Sequence, residues 1–143
     1  MMSDHSPKSQ AGVDSSQTAL AQRLAKDLVD CDPSILSLMV VDFLGRVLHV
    51  SRSARLSEEE HVDAELVRTL GTISMMIMGA ANKAAQVMGG TEAVVGIFKK
   101  QKVLLINLQE YNLLLALRLS RSANAEYVCD KIGDLLATTQ SGP

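Results

Sequence analysis

Apolar residues along this chain come in two kinds of run, and they predict two kinds of element. From Ile35 to Phe43 the chain is almost continuously apolar, through Leu36, Leu38, Met39, Val40 and Val41. Gly45 permits a tight turn, and Val47 to Val50 forms a shorter return, so this segment reads as a β-hairpin. Three more strand-like runs follow closely: Glu92 to Lys99, Lys102 to Leu108 and Asn112 to Leu119. They are joined by Lys100-Gln101 and Gln109-Glu110-Tyr111, and links this short force antiparallel neighbours. Leu38 to Val41, Val103 to Ile106 and Leu113 to Leu117 do not alternate apolar with polar residues. Continuous runs of that kind mean burial on both faces of the sheet.

The other runs have helical spacing. Leu20, Leu24 and Leu28 recur at i+4 after Ser16, whose hydroxyl can cap free backbone N–H groups. That helix ends near Cys31, ahead of Asp32-Pro33, because the residue before proline disfavours helix. Ser57 and Glu60 fit a capping box, and Glu58, Glu59 and Glu60 complement the positive end of a helix dipole. The helix so begun stops at Gly89-Gly90, after about 31 residues or roughly 46 Å. A last helix from near Ser122 gathers Ala125, Val128, Cys129, Ile132, Leu135 and Leu136 on one face. The order helix, two strands, long helix, three strands, helix predicts a three-layer α/β/α sandwich. The long helix covers one face of a five-stranded, mostly antiparallel sheet, and the two shorter helices cover the other. Residues 1–15 read as a disordered tail, 16–139 as the domain and 140–143 as a frayed end.

The long helix has more apolar surface than one sheet contact uses. Leu66, Leu70, Ile73, Ile77, Ala80 or Ala81, Ala84 and Met88 make one stripe. Val67, Gly71, Ser74, Met75, Met78 and Asn82 make a second, whose small residues permit close approach and whose methionines pack adaptably. With the first stripe on the sheet, the second is left as an interface. Ala93, Val94, Val95 and Ile97 occupy a strand with few of the charges that blunt a sheet edge, and they extend the same expected interface. Two copies would then join helix to helix and sheet to sheet.

Composition narrows the function classes. Hydrophobic residues make up 47%, charged residues 21% and aromatics only 3%, so the core must be aliphatic. A net charge of −2 argues against broad binding to nucleic acid. No apolar run approaches the roughly 20 residues needed to cross a bilayer. Met1 to Ser16 carries no apolar stretch of signal-peptide length, which points to the cytoplasm. Cys31 and Cys129 make no disulfide framework and read as small, partly buried thiols in helices.

The hairpin LMVVDFLGRVLHVSR, the long helix, and then EAVVGIFKKQKVLLINLQEYNLLLALRLSRSANAEYVCDKIGDLL resemble the Roadblock/dynein light chain family over about residues 17–138. The resemblance implies a profilin- or longin-like layering with strand order 2-1-5-4-3. It also implies dimers formed through the long helix and third strand. Members of that family bind small Ras-like GTPases, scaffold larger assemblies or link cargo to motors, and bacterial gliding-motility members regulate a GTPase.

Catalytic patterns are absent. Gly89-Gly90 lacks phosphate-loop spacing, His5, His49 and His61 are scattered, and no nucleophile motif or zinc spacing occurs, so no cofactor or metal is expected. Lys99, Lys100 and Lys102 read as a solvated hairpin tip. Arg46, Arg52 and Arg55 lie around the second strand and are the candidate partner-binding residues; one could serve a GTPase in trans. The leading expectation is a non-catalytic homodimer that regulates a small GTPase. A structural adaptor indifferent to nucleotide state is the alternative, and a small-molecule sensor is a third.

Overall fold

The computed structural model describes residues 15–55 and 64–141. The expected tail (but for Ser15), the capping box at Ser57 to Glu60 and the last two residues lie outside the described residues. The elements are α1 (Ser15–Leu28), β1 (Ile35–Asp42), β2 (Val47–Arg52), α2 (Ala64–Met88), β3 (Ala93–Ile97), β4 (Gln101–Leu108), β5 (Leu113–Ser120) and α3 (Ala125–Ser141). All five strands form one antiparallel sheet in the order β2-β1-β5-β4-β3.

Alternation along the central strands divides the core in two, since successive side chains point to opposite faces. Leu38, Val40, Leu104, Ile106, Leu113, Leu115 and Leu117 pack beneath α1 and α3, with Leu24, Leu28, Val128 and Ile132. Met39, Val41, Leu105, Leu114 and Ala116 pack on the other face against α2, with Met78, Val67, Leu70 and Met75. Burial on both faces explains why these strands show no polar alternation in sequence.

Short polar devices fix the connections. Asp42 is buried at the β1–β2 turn, where Oδ1 accepts from the N–H groups of Leu44 and Arg46, both at 2.9 Å. Its Oδ2 accepts from Arg46 Nε at 2.7 Å, and Gly45 takes the positive φ of 87° that the turn requires. The final helix begins at Ala125, three residues later than the sequence suggests. Asn124 marks the start, because its Oδ1 accepts from Tyr127 N–H at 3.0 Å. The helix also continues to Ser141, two residues into the segment expected to fray.

The orientation of α2 reverses the expectation. Gly71, Ser74 and Met78 are buried within the single chain, with Val67, Leu70 and Met75 packed beside them. Of the residues expected at a subunit interface, Val67, Gly71, Ser74, Met75 and Met78 therefore face this chain's own sheet, while Asn82 is exposed. The physical cause is a close crossing over the hairpin. A Cβ at Gly71 would sit 2.6 Å from Val47 Cγ2 and 3.0 Å from the Gly45 carbonyl oxygen. Small residues do mark a close approach, but one inside the subunit.

Opposite effects are expected at two glycines of α2. Gly71→Ala should lower unfolding free energy by about 2 kcal/mol, because its methyl meets backbone and a branched side chain. Gly79 has open space around it, so Gly79→Ala should add about 1 kcal/mol of helix propensity. Urea unfolding at one fixed protein concentration reads both. Equal responses would mean that α2 does not cross the hairpin at Gly71.

Candidate interaction surface

Turning Gly71 and Ser74 inward turns other apolar residues outward. Leu66, Ile73, Met76, Ile77, Val87 and Met88 are exposed along α2, with Met76 at 68% and Val87 at 88%. Val95, Ile97 and Phe98 are exposed on β3 and the turn after it, with Ile97 at 64%. The α2 side chains among these present several hundred Å² of apolar surface, on the order of the roughly 300–600 Å² of a typical monomer's largest apolar patch, and Val95 and Ile97 add to it from the other face of the outer strand. The edge strand divides its side chains: Ala93 packs partly under α3's side of the sheet, Val94 under α2's side, and Val95 and Ile97 remain exposed. β3 is an outer strand, so one rank of its backbone groups has no neighbour in the sheet.

The three arginines do not converge. Arg46 serves the β1–β2 turn through Asp42. Arg52 ends β2, about 20 Å away at 3.3 Å per residue. Arg52 pairs in register with Ser37, which also accepts from Arg118 Nε at 2.9 Å. Arg55 works as a clamp: Nη2 donates to the carbonyl oxygens of Pro33 (2.8 Å) and Ile35 (3.3 Å), and Nη1 lies 3.6 Å from Asp30. Two of the three are thus committed to holding turns. Their closeness in sequence arises from a short strand that carries them to opposite ends of the sheet.

A cavity of about 80 Å³ lies between the sheet and α2, lined by Met39, Val50, Val67, Leu70 and Ser74, with Arg52 and Arg118 at its rim. Binding sites for drug-sized ligands run to roughly 300–1,000 Å³, so this space is small for a sensor's ligand. Among the described residues, no group of His, Cys, Asp and Glu could hold a metal ion, and no helix is long and apolar enough to cross a membrane. Cys31 and Cys129 are free and half-buried, and desolvation pushes both thiols up. Cys31 stands in the turn after α1, outside the helix expected to hold it.

In sequence comparison, no family model and no curated protein matches the chain. Solved structures do. A Roadblock/LC7 domain from Streptomyces avermitilis is similar with a TM-score of 0.65 at 16% identity, over 82% of this chain and 92% of that one. The gliding protein MglB from Thermus thermophilus is similar with a TM-score of 0.65 at 15% identity, over 85% of this chain and 89% of that one. An MglB solved in a tetrameric arrangement gives 0.65 and 15%, over 85% and 88%. At such identities the likeness establishes the fold, a Roadblock-type three-layer sandwich.

One titratable group reports on how the α1–β1 link is held. Asp32 accepts from Ser34 Oγ at 2.6 Å and Ser34 N–H at 3.0 Å, with Lys131 Nζ 3.3 Å from its Oδ1. The hydroxyl first, and then the backbone donor and the lysine, hold its carboxyl below the ordinary value of 3.8 against the cost of burial. A depressed carboxyl stabilises the fold above its unfolded value, and the contribution vanishes as pH falls through the lower folded value. Asp32→Asn should therefore be less stable than the native chain by a constant margin across about pH 5 to 8, a margin that shrinks below about pH 4. Thermal unfolding across pH reads the margin; one that widens in acid would contradict these contacts.

Proposed function

We propose that this chain is a non-catalytic, homodimeric Roadblock-type module of the cytoplasm that binds and regulates a small Ras-like GTPase. The observation that carries the reading is the apolar surface on the outer side of α2 and along β3, which one subunit leaves uncovered. A standard protein interface buries about 800 Å² on each partner, and the exposed side of α2 with the free edge of β3 beside it is on that order. Two copies meeting about a twofold axis would pair β3 with β3 and lay α2 against α2, so that each covers the other. Leu66, Ile73, Met76, Ile77, Val87 and Met88 would form the helical part, with Val95 and Ile97 on the strand. This set replaces the inner stripe through Met75 and Met78 as the candidate interface.

The nucleotide-linked role is supported by the sequence resemblance and by the fold shared with gliding proteins. A joined pair would present a surface larger than either subunit's, suited to a globular partner. None of the arginines needs to enter a GTPase site, since a docked protein can reposition the GTPase's own groups. A structural adaptor would share the dimer and differ in ignoring the nucleotide.

Sedimentation and nucleotide-dependent capture test the two halves separately. The native chain is expected to sediment as a dimer at micromolar concentration. Met76→Glu combined with Ile97→Glu should give a monomer with unchanged helical circular dichroism. Met78→Glu should instead unfold the chain, because Met78 is buried and a carboxylate there has no partner. A native monomer, or a dimer untouched by the double change, would refute the pairing. Capture of a small GTPase from cytoplasm that is equal with GTP and GDP would favour the adaptor.

A further inference from the structure

The sheet face beneath α1 and α3 is covered unevenly. α1 lies over β1 and β2, and α3 packs over β4. Ala93 and Val95 of β3 point to the same face, since Ala93 joins that core and Val94 the opposite one. Beside α3 run two adjoining hollows of about 630 and 790 Å³ that share Glu92, Cys129 and Asp130; the first is also walled by Ala81, Ala84, Ala85 and Met88 of α2, and the second reaches the end of β4.

The wall that α3 presents to these hollows has a regular pattern, whose first members, Ala125 and Cys129, also pack on the core. Ala125, Cys129, Gly133 and Ala137 recur at i+4 and form a row of small residues. A Cβ at Gly133 would meet nothing within 4 Å. Glu126, Asp130 and Asp134 recur at i+4 beside that row, and all three are exposed. Glu92 faces them from the strand side, and no lysine, arginine or histidine lines either hollow. The nearest cation on the helix, Lys131, turns away to Asp32. At the far end Asn107 Oδ1 is buried without a hydrogen-bond partner among the described residues.

We infer that this groove is a docking site for a basic, amphipathic α-helix of a partner protein. A row of small residues lets two helix axes come close, because interaxial distance follows the side chains at the crossing. The apolar edge of such a helix would rest on Ala93, Val95 and the small row of α3. Its lysines or arginines would lie along Glu126, Asp130 and Asp134, their stems covering apolar surface while the heads meet the carboxylates. The field is already felt locally: desolvation raises the Cys129 thiol, and Asp130, Glu92 and Glu126 raise it further. The chain's own tail does not match this chemistry, since residues 1–14 carry one lysine against two aspartates. Met88 and Val95 line the groove and also belong to the proposed pairing surface, so the two adjoin; pairing along β3 would set two such grooves side by side.

Two fluorescent helical peptides of one apolar pattern test the assignment, the first built from leucine, alanine and lysine, the second with glutamate for lysine. By anisotropy the lysine peptide is expected to bind at least tenfold more tightly than the glutamate peptide. Glu126→Lys with Asp130→Lys should weaken the lysine peptide at least tenfold. Asp27→Lys with Glu65→Lys, equal in charge but outside the groove, should change it less than twofold. Gly133→Leu fills the groove without altering charge and favours helix, so it tests the site even if the charge reversal impairs folding; it too should weaken binding at least tenfold. Hydrogen exchange should show protection over residues 90–95 and 125–137. Equal binding of both peptides, indifference to the groove substitutions, or protection confined to the outer side of α2 would overturn the assignment. A changed sedimentation state in the reversed variant would also overturn it, by making a second copy the occupant.

Discussion

The crossing of α2 over the β1–β2 hairpin at Gly71 decides most of what this molecule can do. A helix with two adjacent apolar stripes can lie on a sheet in either of two rotations. Here a missing side chain breaks the tie. With no Cβ at Gly71, the helix settles against Val47 and the Gly45 carbonyl, and Ser74 and Met78 follow inward one and two turns later. Any residue with a Cβ at that point would push the helix off the sheet or rotate it. Rotation would bury Ile73 and Ile77 and expose Met75 and Met78, leaving a different surface for partners. The identity of the exposed surface is thus a consequence of one intrachain contact.

The sheet was legible in the sequence because its signal is redundant. Burial on both faces requires long unbroken apolar runs, and Leu38 to Val41 and Leu113 to Leu117 have few other readings. Short links then fixed three of the four strand pairings, and family resemblance implied the fourth, β1 against β5. The helix rotation was not legible, because both stripes of α2 are apolar and small residues favour close approach without saying to what. Glycine and serine read as marks of a subunit contact in fact mark the hairpin crossing. Periodicity gives the direction of a stripe on the helix, whereas the partner of that stripe depends on which neighbour has the matching hollow.

The arginines teach a related lesson about strands. Arg46, Arg52 and Arg55 fall within ten positions, a spacing that on a helix would hold them near one another. A strand rises about 3.3 Å per residue, so β2 carries its two ends roughly 20 Å apart. What decides their roles is the turns they adjoin: Arg46 beside a buried Asp42, and Arg55 beside the carbonyl groups of residues 33 and 35. Those carbonyl groups sit where the chain enters β1. A guanidinium with several donors suits such a place, where one side chain must satisfy more than one acceptor.

Coverage supplies the remaining asymmetry. Strands lie about 4.8 Å apart and packed helices about 10 Å apart, so two helices cover about four strands of a five-strand sheet. α1 and α3 are placed toward β1, β2 and β4, and the deficit falls on β3. On the opposite face a single long helix covers the sheet with one side and leaves its other side bare. Both deficits meet at the same outer strand, yet they differ in chemistry. The α2 side is apolar, whereas the α3 side is walled by Glu126, Asp130 and Asp134. An apolar surface is best covered by its like, and a carboxylate-lined groove repels a copy of itself. The two sides of β3 therefore select different occupants, with Met88 and Val95 bordering both.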